Sequence, residues 1–399
     1  MKCYFAKKHL FTFVFLLVTA LQFSQQSIID TSILTDFNNA IQLYNNKAYA
    51  AAQKSLLKVI KNSEKSSNLN ADAAYFKAMC ALKLQQTDAD KKVLDFVEKY
   101  PNSTKKNQAF FNVANYYFAN QKPAYALKWY QKVNKEVISG ENRKELNFKS
   151  GYSLLVSGDL SSAKNLFLPL INDGKYGNDA RYYYGFIAYK LEDYGLAEST
   201  LKEIADSDSY KAEISYYLLD ISFKSGKFER CIKIGEELLK DKKRKDSSEI
   251  SKIVGESYFN LENYLAAIPF LKSYKGKNGK LNNTDYYQLG FAFFKQNNFQ
   301  NAIAHFNKII DQKNAVSQNA YYHLAECYLK IGKKNEALNA FKTASEMDFS
   351  VKIKEDAALN YAKLSYEEGN PFENVADVLQ NYLKNYPTST SYKEINQLV

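Results

Sequence analysis

The chain has 399 residues, 46% hydrophobic and 24% charged, and its 54 Lys and Arg outweigh 43 Asp and Glu to give a formal net charge of +11. That balance excludes a disordered chain, and only 15 Gly and 6 Pro, well below average usage of roughly 7% and 5%, favour long uninterrupted helices. One compact core would be unusual at this length, whereas stacked short units bury a continuous one.

Residues 1–24 form a separate object. Lys2, Lys7 and Lys8 precede an apolar run from Leu10 to Leu21, broken only by Thr12 and Thr19. The run is shorter than the roughly 20 residues a membrane span requires and suits a secretory signal peptide. Val18 with Ala20, or Ser24 before Gln25, offers a cleavage pattern, so the mature chain begins between Leu21 and Gln26 and carries no membrane span. No Cys follows the run within cleavage reach, which argues against a lipid anchor. The protein is therefore expected in the periplasm or outside the cell. Removing the three lysines leaves a net charge of +8.

From residue 32 onward, one hydrophobic pattern returns every 34 to 38 residues. Ten anchor positions follow in order: Asn39, Phe76, Val113, Ser150, Tyr184, Leu218, Val254, Leu289, Leu324 and Ala362. Thirteen residues after each comes a small side chain, Ala in eight of ten (Ala52 to Ala337), with Cys231 and Val375 as exceptions. Four residues later stands a bulky one, from Leu56, Val93, Tyr130 and Phe167 through Leu271, Phe306, Phe341 and Leu379, except at Gly235. Residues four apart share a helical face. Each period therefore predicts two helices with a tight turn between them. Gly158, Gly226 and Gly332 lie at that turn, where a left-handed residue is required, and Pro101 and Pro387 mark the ends of second helices.

The cleanest copy, Asn319-Ala-Tyr-Tyr-His-Leu-Ala-Glu-Cys-Tyr328, then Gly332, Ala337, Phe341 and Ala344, resembles the tetratricopeptide repeat (TPR). The resemblance covers about nine-tenths of the chain. It implies an all-α fold, a right-handed α-solenoid of about ten helix-turn-helix units over residues 32–387, with 388–399 starting a further, incomplete repeat whose Ile395 and Leu398 would lie uncovered. It also implies that first helices line a concave, partner-binding face. The slot two residues before each anchor looks inward there, and it holds Phe37, Phe111, Phe148, Tyr182, Tyr216, Tyr287 and Tyr322 among its ten residues. Two readings stand for this aromatic row, a groove for protein or glycan partners and packing between helices. The family's Lys and Asn clamp for a C-terminal carboxylate is absent, since the matching slots hold Phe111 with Asn115 and Lys252 with Glu256.

The densest charge lies in the links after the sixth and seventh units, with Lys242, Lys243, Arg244 and Lys245 in one and Lys275 and Lys277 in the other. If neighbouring links adjoin, they form a basic edge for an anionic envelope component, the other reading being solvated loops without a partner; nucleic acid does not suit an exported protein. Cys80, Cys231 and Cys327 fall on apolar faces of different units, and His305 and His323 lack partners at metal-ligand spacing, so neither disulfide nor metal is expected. There is no phosphate loop, nucleophile elbow or Cys-x-x-Cys, and adjacent carboxylates such as Glu236-Glu237 point apart on a helix. The chain reads as a non-enzymatic scaffold for envelope proteins or peptides, without a cofactor. The long secreted TPR proteins of Gram-negative envelopes are similar. Two other classes remain open: the sensory part of a membrane signalling protein, and a glycan-binding nutrient-uptake module.

Overall fold

A computed structural model describes residues 31–309 and 313–399, so the expected signal segment lies outside the described residues. Helices come in ten pairs. The first five are residues 31–45 with Tyr49–Asn62, Asn68–Lys83 with Ala89–Lys99, Lys106–Ala119 with Pro123–Tyr130, Gly140–Val156 with Leu160–Phe167, and Gly177–Lys190 with Tyr194–Lys202. The second five are Lys211–Lys224 with Phe228–Leu238, Ser247–Asn260 with Tyr264–Ser273, Asn283–Lys295 with Phe299–Phe306, Ala315–Lys330 with Lys334–Ser345, and Val351–Glu368 with Val375–Asn385. They fall into two compact units, divided between Ser207 and Asp208. No named strand occurs among the described residues, and each unit is an all-α stack of helical hairpins, here numbered repeats 1–10.

Every hairpin turns through one left-handed residue: Lys47, Gln85, Gln121, Gly158, Glu192, Gly226, Glu262, Asn297, Gly332 and Gly369, all with φ between 53° and 87°. Glycine takes this conformation without strain, whereas the six other residues carry a Cβ cost that packing must offset. In four repeats an Asp or Asn follows directly and caps the second helix: Asp159, Asp193, Asn263 and Asn298 each accept a backbone N–H three residues on.

Seven residues before each left-handed residue stands a buried small side chain, Ala40, Ala78, Ala114, Gly151, Gly185, Gly255, Gly290, Ala325 or Ala362, with Leu219 alone departing. This corrects the sequence register. Five residues separate the left-handed turn from the small residue of the second helix in most repeats, but four do in repeat 2 (Gln85 to Ala89) and six in repeat 10 (Gly369 to Val375). The anchors expected at Phe76 and Ala362 therefore shift by one, and Asn39 is exposed while Ala40 is buried.

The small residue is needed because a bulky one lies directly over it. A Cβ on Gly151, Gly185, Gly255 or Gly290 would come within 2.7–3.0 Å of Phe167, Leu201, Leu271 or Phe306, the bulky residue of the same hairpin's second helix. Repeat 6 exchanges the two. Leu219 is fully buried in the small slot, and Gly235 stands where the others are bulky, with space for a Cβ closed by Val254 Cγ2 at 2.2 Å and Leu219 Cδ1 at 3.3 Å. The apparent exception in the sequence pattern is thus a knob and a gap traded between helices.

The C-terminal segment overturns one expectation. Ile395, on the short helix Tyr392–Asn396, is fully buried in the core that includes Leu379 and Tyr382, and Leu398 packs against that core. Neither is left uncovered. Cys80, Cys231 and Cys327 are buried and free, and burial pushes the Cys80 and Cys231 thiols up to about 11. No helix of the described residues is long and apolar enough to cross a membrane.

Candidate partner-binding face

The aromatic slot of the first helices does two jobs. In four repeats its ring rests on the bulky residue of the same hairpin's second helix: Phe111 on Tyr130 at 6.2 Å between ring centres, Phe148 on Phe167 at 5.7 Å, Tyr287 on Phe306 at 5.9 Å and Tyr322 on Phe341 at 5.8 Å. Phe111 is only 2% exposed and offers no surface, which removes it from the groove candidates. Phe148, Tyr182, Tyr216, Tyr287 and Tyr322 are half-buried. Packing holds one side of each ring and the rest faces outward. Phe148 also stacks on Tyr176 at 5.0 Å and Tyr182 on Phe186 at 6.4 Å.

A continuous aromatic face forms where rings one turn further along join the slot, and one such run crosses repeats 3–5, from Phe118 to Tyr152 at 5.7 Å, Tyr152 to Tyr183 at 5.5 Å and Tyr182 to Phe186 at 6.4 Å. In repeats 7–9 the centre of the face is Phe291, half-buried and within 6 Å of Phe259, Tyr264, Tyr287 and His323 (ring centres at 5.8, 5.7, 5.9 and 5.1 Å). Phe294 and Phe299 extend it, and the Lys295 ammonium lies 5.4 Å over the Phe291 ring. Phe291 and Phe299 were not singled out in the sequence. The signal was present, because Phe291 follows Tyr287 by four residues and so shares its face.

Charged groups border the rings. Lys252 Nζ donates to Asp285 Oδ1 at 2.7 Å and lies 3.8 Å from Glu256, whose carboxyl burial pushes up against the pull of Lys252. Gln288 Oε1, beside Glu256, is buried without a hydrogen-bond partner. His323 Nδ1 lies 2.7 Å from Glu326 Oε2. Burial likewise holds the Tyr287 hydroxyl up to about 12. Lys252 is thus tied to Asp285 and Glu256, and His323 to Glu326, and no cluster of His, Cys, Asp and Glu among the described residues could hold a metal ion.

In the N-terminal unit the first helices of repeats 1–4 border a depression of about 590 Å³, lined by Tyr44, Met79, Asn112, Asn115, Tyr116 and Lys149 among others. It is amide-rich rather than aromatic. Lys149 Nζ donates to Glu145 at 2.5 Å and to Asn115 Oδ1 at 3.0 Å.

The two basic links do adjoin. The Lys275 backbone N–H donates to Ser248 Oγ at 3.1 Å, tying the second link to residues just past the first. Lys242, Lys243, Lys245, Lys275 and Lys277 are exposed. Arg244 belongs to the structure instead: its guanidinium grips Asp246 at 2.9 and 2.6 Å and donates to the Ala212 carbonyl at 3.2 Å, so its charge is spent on holding the link to repeat 6.

A small residue under a bulky one in hairpin after hairpin, with a left-handed turn at one position, is the tetratricopeptide arrangement, and a family model of that type, described as anaphase-promoting complex, cyclosome, subunit 3, matches residues 277–344. The chain is a tetratricopeptide-repeat protein. The matched stretch covers repeats 8 and 9, which carry most of the aromatic face. Response regulator aspartate phosphatase E of Bacillus subtilis is 28% identical over 110 residues, covering 24% of this chain and 29% of that protein, so the match spans less than a third of the relative's length. Among solved structures, MamA is 24% identical, with 42% of this chain and 96% of that chain covered and a TM-score of 0.35. A tetratricopeptide-repeat protein from Parabacteroides merdae is 14% identical, with 72% and 96% covered and a TM-score of 0.35.

Proposed function

We propose that this tetratricopeptide array is a non-enzymatic scaffold of the bacterial cell envelope, periplasmic or secreted, that holds a protein or peptide segment on the first-helix face of repeats 7–9. A tetratricopeptide fold implies an interaction scaffold, and one observation supports placing its contact at this face: the half-exposed rings gathered around Phe291. Aromatic rings give large contact area at low entropy cost, and interface hot spots are rich in them. Phe259 and Phe291 are the residues to test: all four rings pack against the core, but Tyr287 and Tyr322 also rest directly on the buried rings of Phe306 and Phe341.

Phe259→Ala with Phe291→Ala is expected to lower recovery of the captured envelope protein by about tenfold or more, the loss of a single strong hot spot, with the array still folded and a smaller loss of stability than truncating the fully buried Phe306. Affinity purification from the envelope fraction with quantitative mass spectrometry reads this, and equal recovery by both proteins would sink the assignment. The export half of the reading rests on the lysine-flanked apolar run. N-terminal sequencing of the protein from a Gram-negative host should begin between Leu21 and Gln26; intact Met1 in the cytoplasm would refute it.

A further inference from the structure

We infer that the adjoining links after repeats 6 and 7 form an electrostatic docking surface for an anionic lipid bilayer. The inference goes beyond the scaffold reading and does not depend on it. Lys242, Lys243 and Lys245 on one link and Lys275, Lys277 and Lys280 on the other are all exposed, and none of the six ammonium groups has an ion-pair partner among the described residues. The Lys275 N–H donates to Ser248 Oγ, at the start of the helix that follows the first link, so the six charges gather on adjoining segments.

The concentration is local rather than a consequence of overall composition. Residues 203–210 and 346–350, which link other repeats, contain Asp and Glu and no Lys or Arg. The nearest carboxylates offset this only in part: Asp246 is held by Arg244, and Asp241, whose Oδ1 accepts the Lys243 backbone N–H at 3.0 Å, is one charge against six.

The surroundings decide which polyanion fits. The depression beside the edge, about 550 Å³, has Tyr216 and Tyr217 in its wall, but Glu213, Asp241 and Glu249 line it too. Those carboxylates would repel an acidic sugar stacked on the rings. Lys243 and Lys245 stand at the wall of that depression as well, while Lys242, Lys275, Lys277 and Lys280 stand outside it, on the links themselves. Neither link exposes an apolar side chain, since Tyr274 and Leu281 are half-buried and the Lys252 ammonium covers the Tyr274 ring at 4.7 Å. A broad layer of negative charge satisfies such an edge without a pocket and without insertion. Attraction of lysines to anionic headgroups is of this kind, and it fades within a Debye length, about 8–10 Å at physiological salt.

The test is co-sedimentation of the full chain with vesicles of phosphatidylcholine alone or mixed equally with phosphatidylglycerol, at low and high salt. The six lysines are changed to Gln in one variant. A control changes the exposed Lys54, Lys61, Lys65, Lys122, Lys132 and Lys135 to Gln, so that both variants lose the same charge. Residues 1–24 are present in every arm and contribute equally. The preference for anionic over neutral vesicles should fall at least about tenfold in the six-lysine variant, stay close to wild type in the control, and vanish at high salt. An equal loss in both variants would mean that net charge alone is responsible and would overturn the inference. So would salt-sensitive retention on heparin with no preference for anionic vesicles, which would give the edge to a soluble acidic polymer.

Discussion

Phe306→Ala is expected to lower stability by about 3–5 kcal/mol, the cost of truncating a buried aromatic ring in a core that cannot close over the gap. Phe306 is fully buried, its ring lies over Gly290, and Tyr287 and His323 pack against it at 5.9 and 6.2 Å. Gly290 has no side chain to fill the cavity, and its helix is held on the other side by neighbouring hairpins. Because units in an array depend on their neighbours, the loss should appear as faster hydrogen exchange across repeats 7–9 as well as a lower melting temperature. The same change should weaken partner capture indirectly, since Tyr287 and His323 border the aromatic face. A loss below about 1 kcal/mol, the size expected of a surface change, would mean that the ring does not anchor the hairpin.

Gly235→Leu should cost about 1–3 kcal/mol or more through overpacking, because a side chain there enters space already taken by Val254 and Leu219. Leu219→Gly by itself should also destabilise, by opening a cavity of leucine size and placing Gly inside a helix. The two together recreate the arrangement of repeats 4, 5, 7 and 8, where Gly lies in the first helix beneath a bulky residue of the second. The double variant is therefore expected to be more stable than the sum of the single losses predicts by about 1 kcal/mol or more, within the range seen for residues in direct contact. Strict additivity in a double-mutant cycle measured by chemical denaturation would show that these positions do not share one space.

Several features escaped the sequence for identifiable reasons. Six of the ten left-handed turns use Lys, Gln, Glu or Asn, and a turn is invisible when the residue at it is one that normally avoids that conformation. The register slips in repeats 2 and 10 come from turns one residue shorter and one longer, which a fixed spacing cannot register. Arg244 reads as part of a basic run, but its partners, Asp246 and the Ala212 carbonyl, include one 32 residues away. Ile395 looks uncovered when its segment is compared with a full repeat, whereas the fold lays that short helix against repeat 10.

What the sequence determined by itself is the hairpin and its repetition. The pairing of a small residue with a bulky one recurs at fixed spacing, and helix formation depends on neighbours three and four positions apart, so a local pattern suffices to specify ten helix pairs. Only the tertiary structure decided which rings face outward. Phe111 and Tyr287 hold the same slot in the same kind of helix, and each rests on the bulky residue of its own hairpin, yet Phe111 is buried while Tyr287 remains half-exposed beside Phe291. The exposure of a ring in such a stack is set by what the adjacent hairpins lay over it, and those residues lie tens of positions away in sequence, beyond the reach of any helical period.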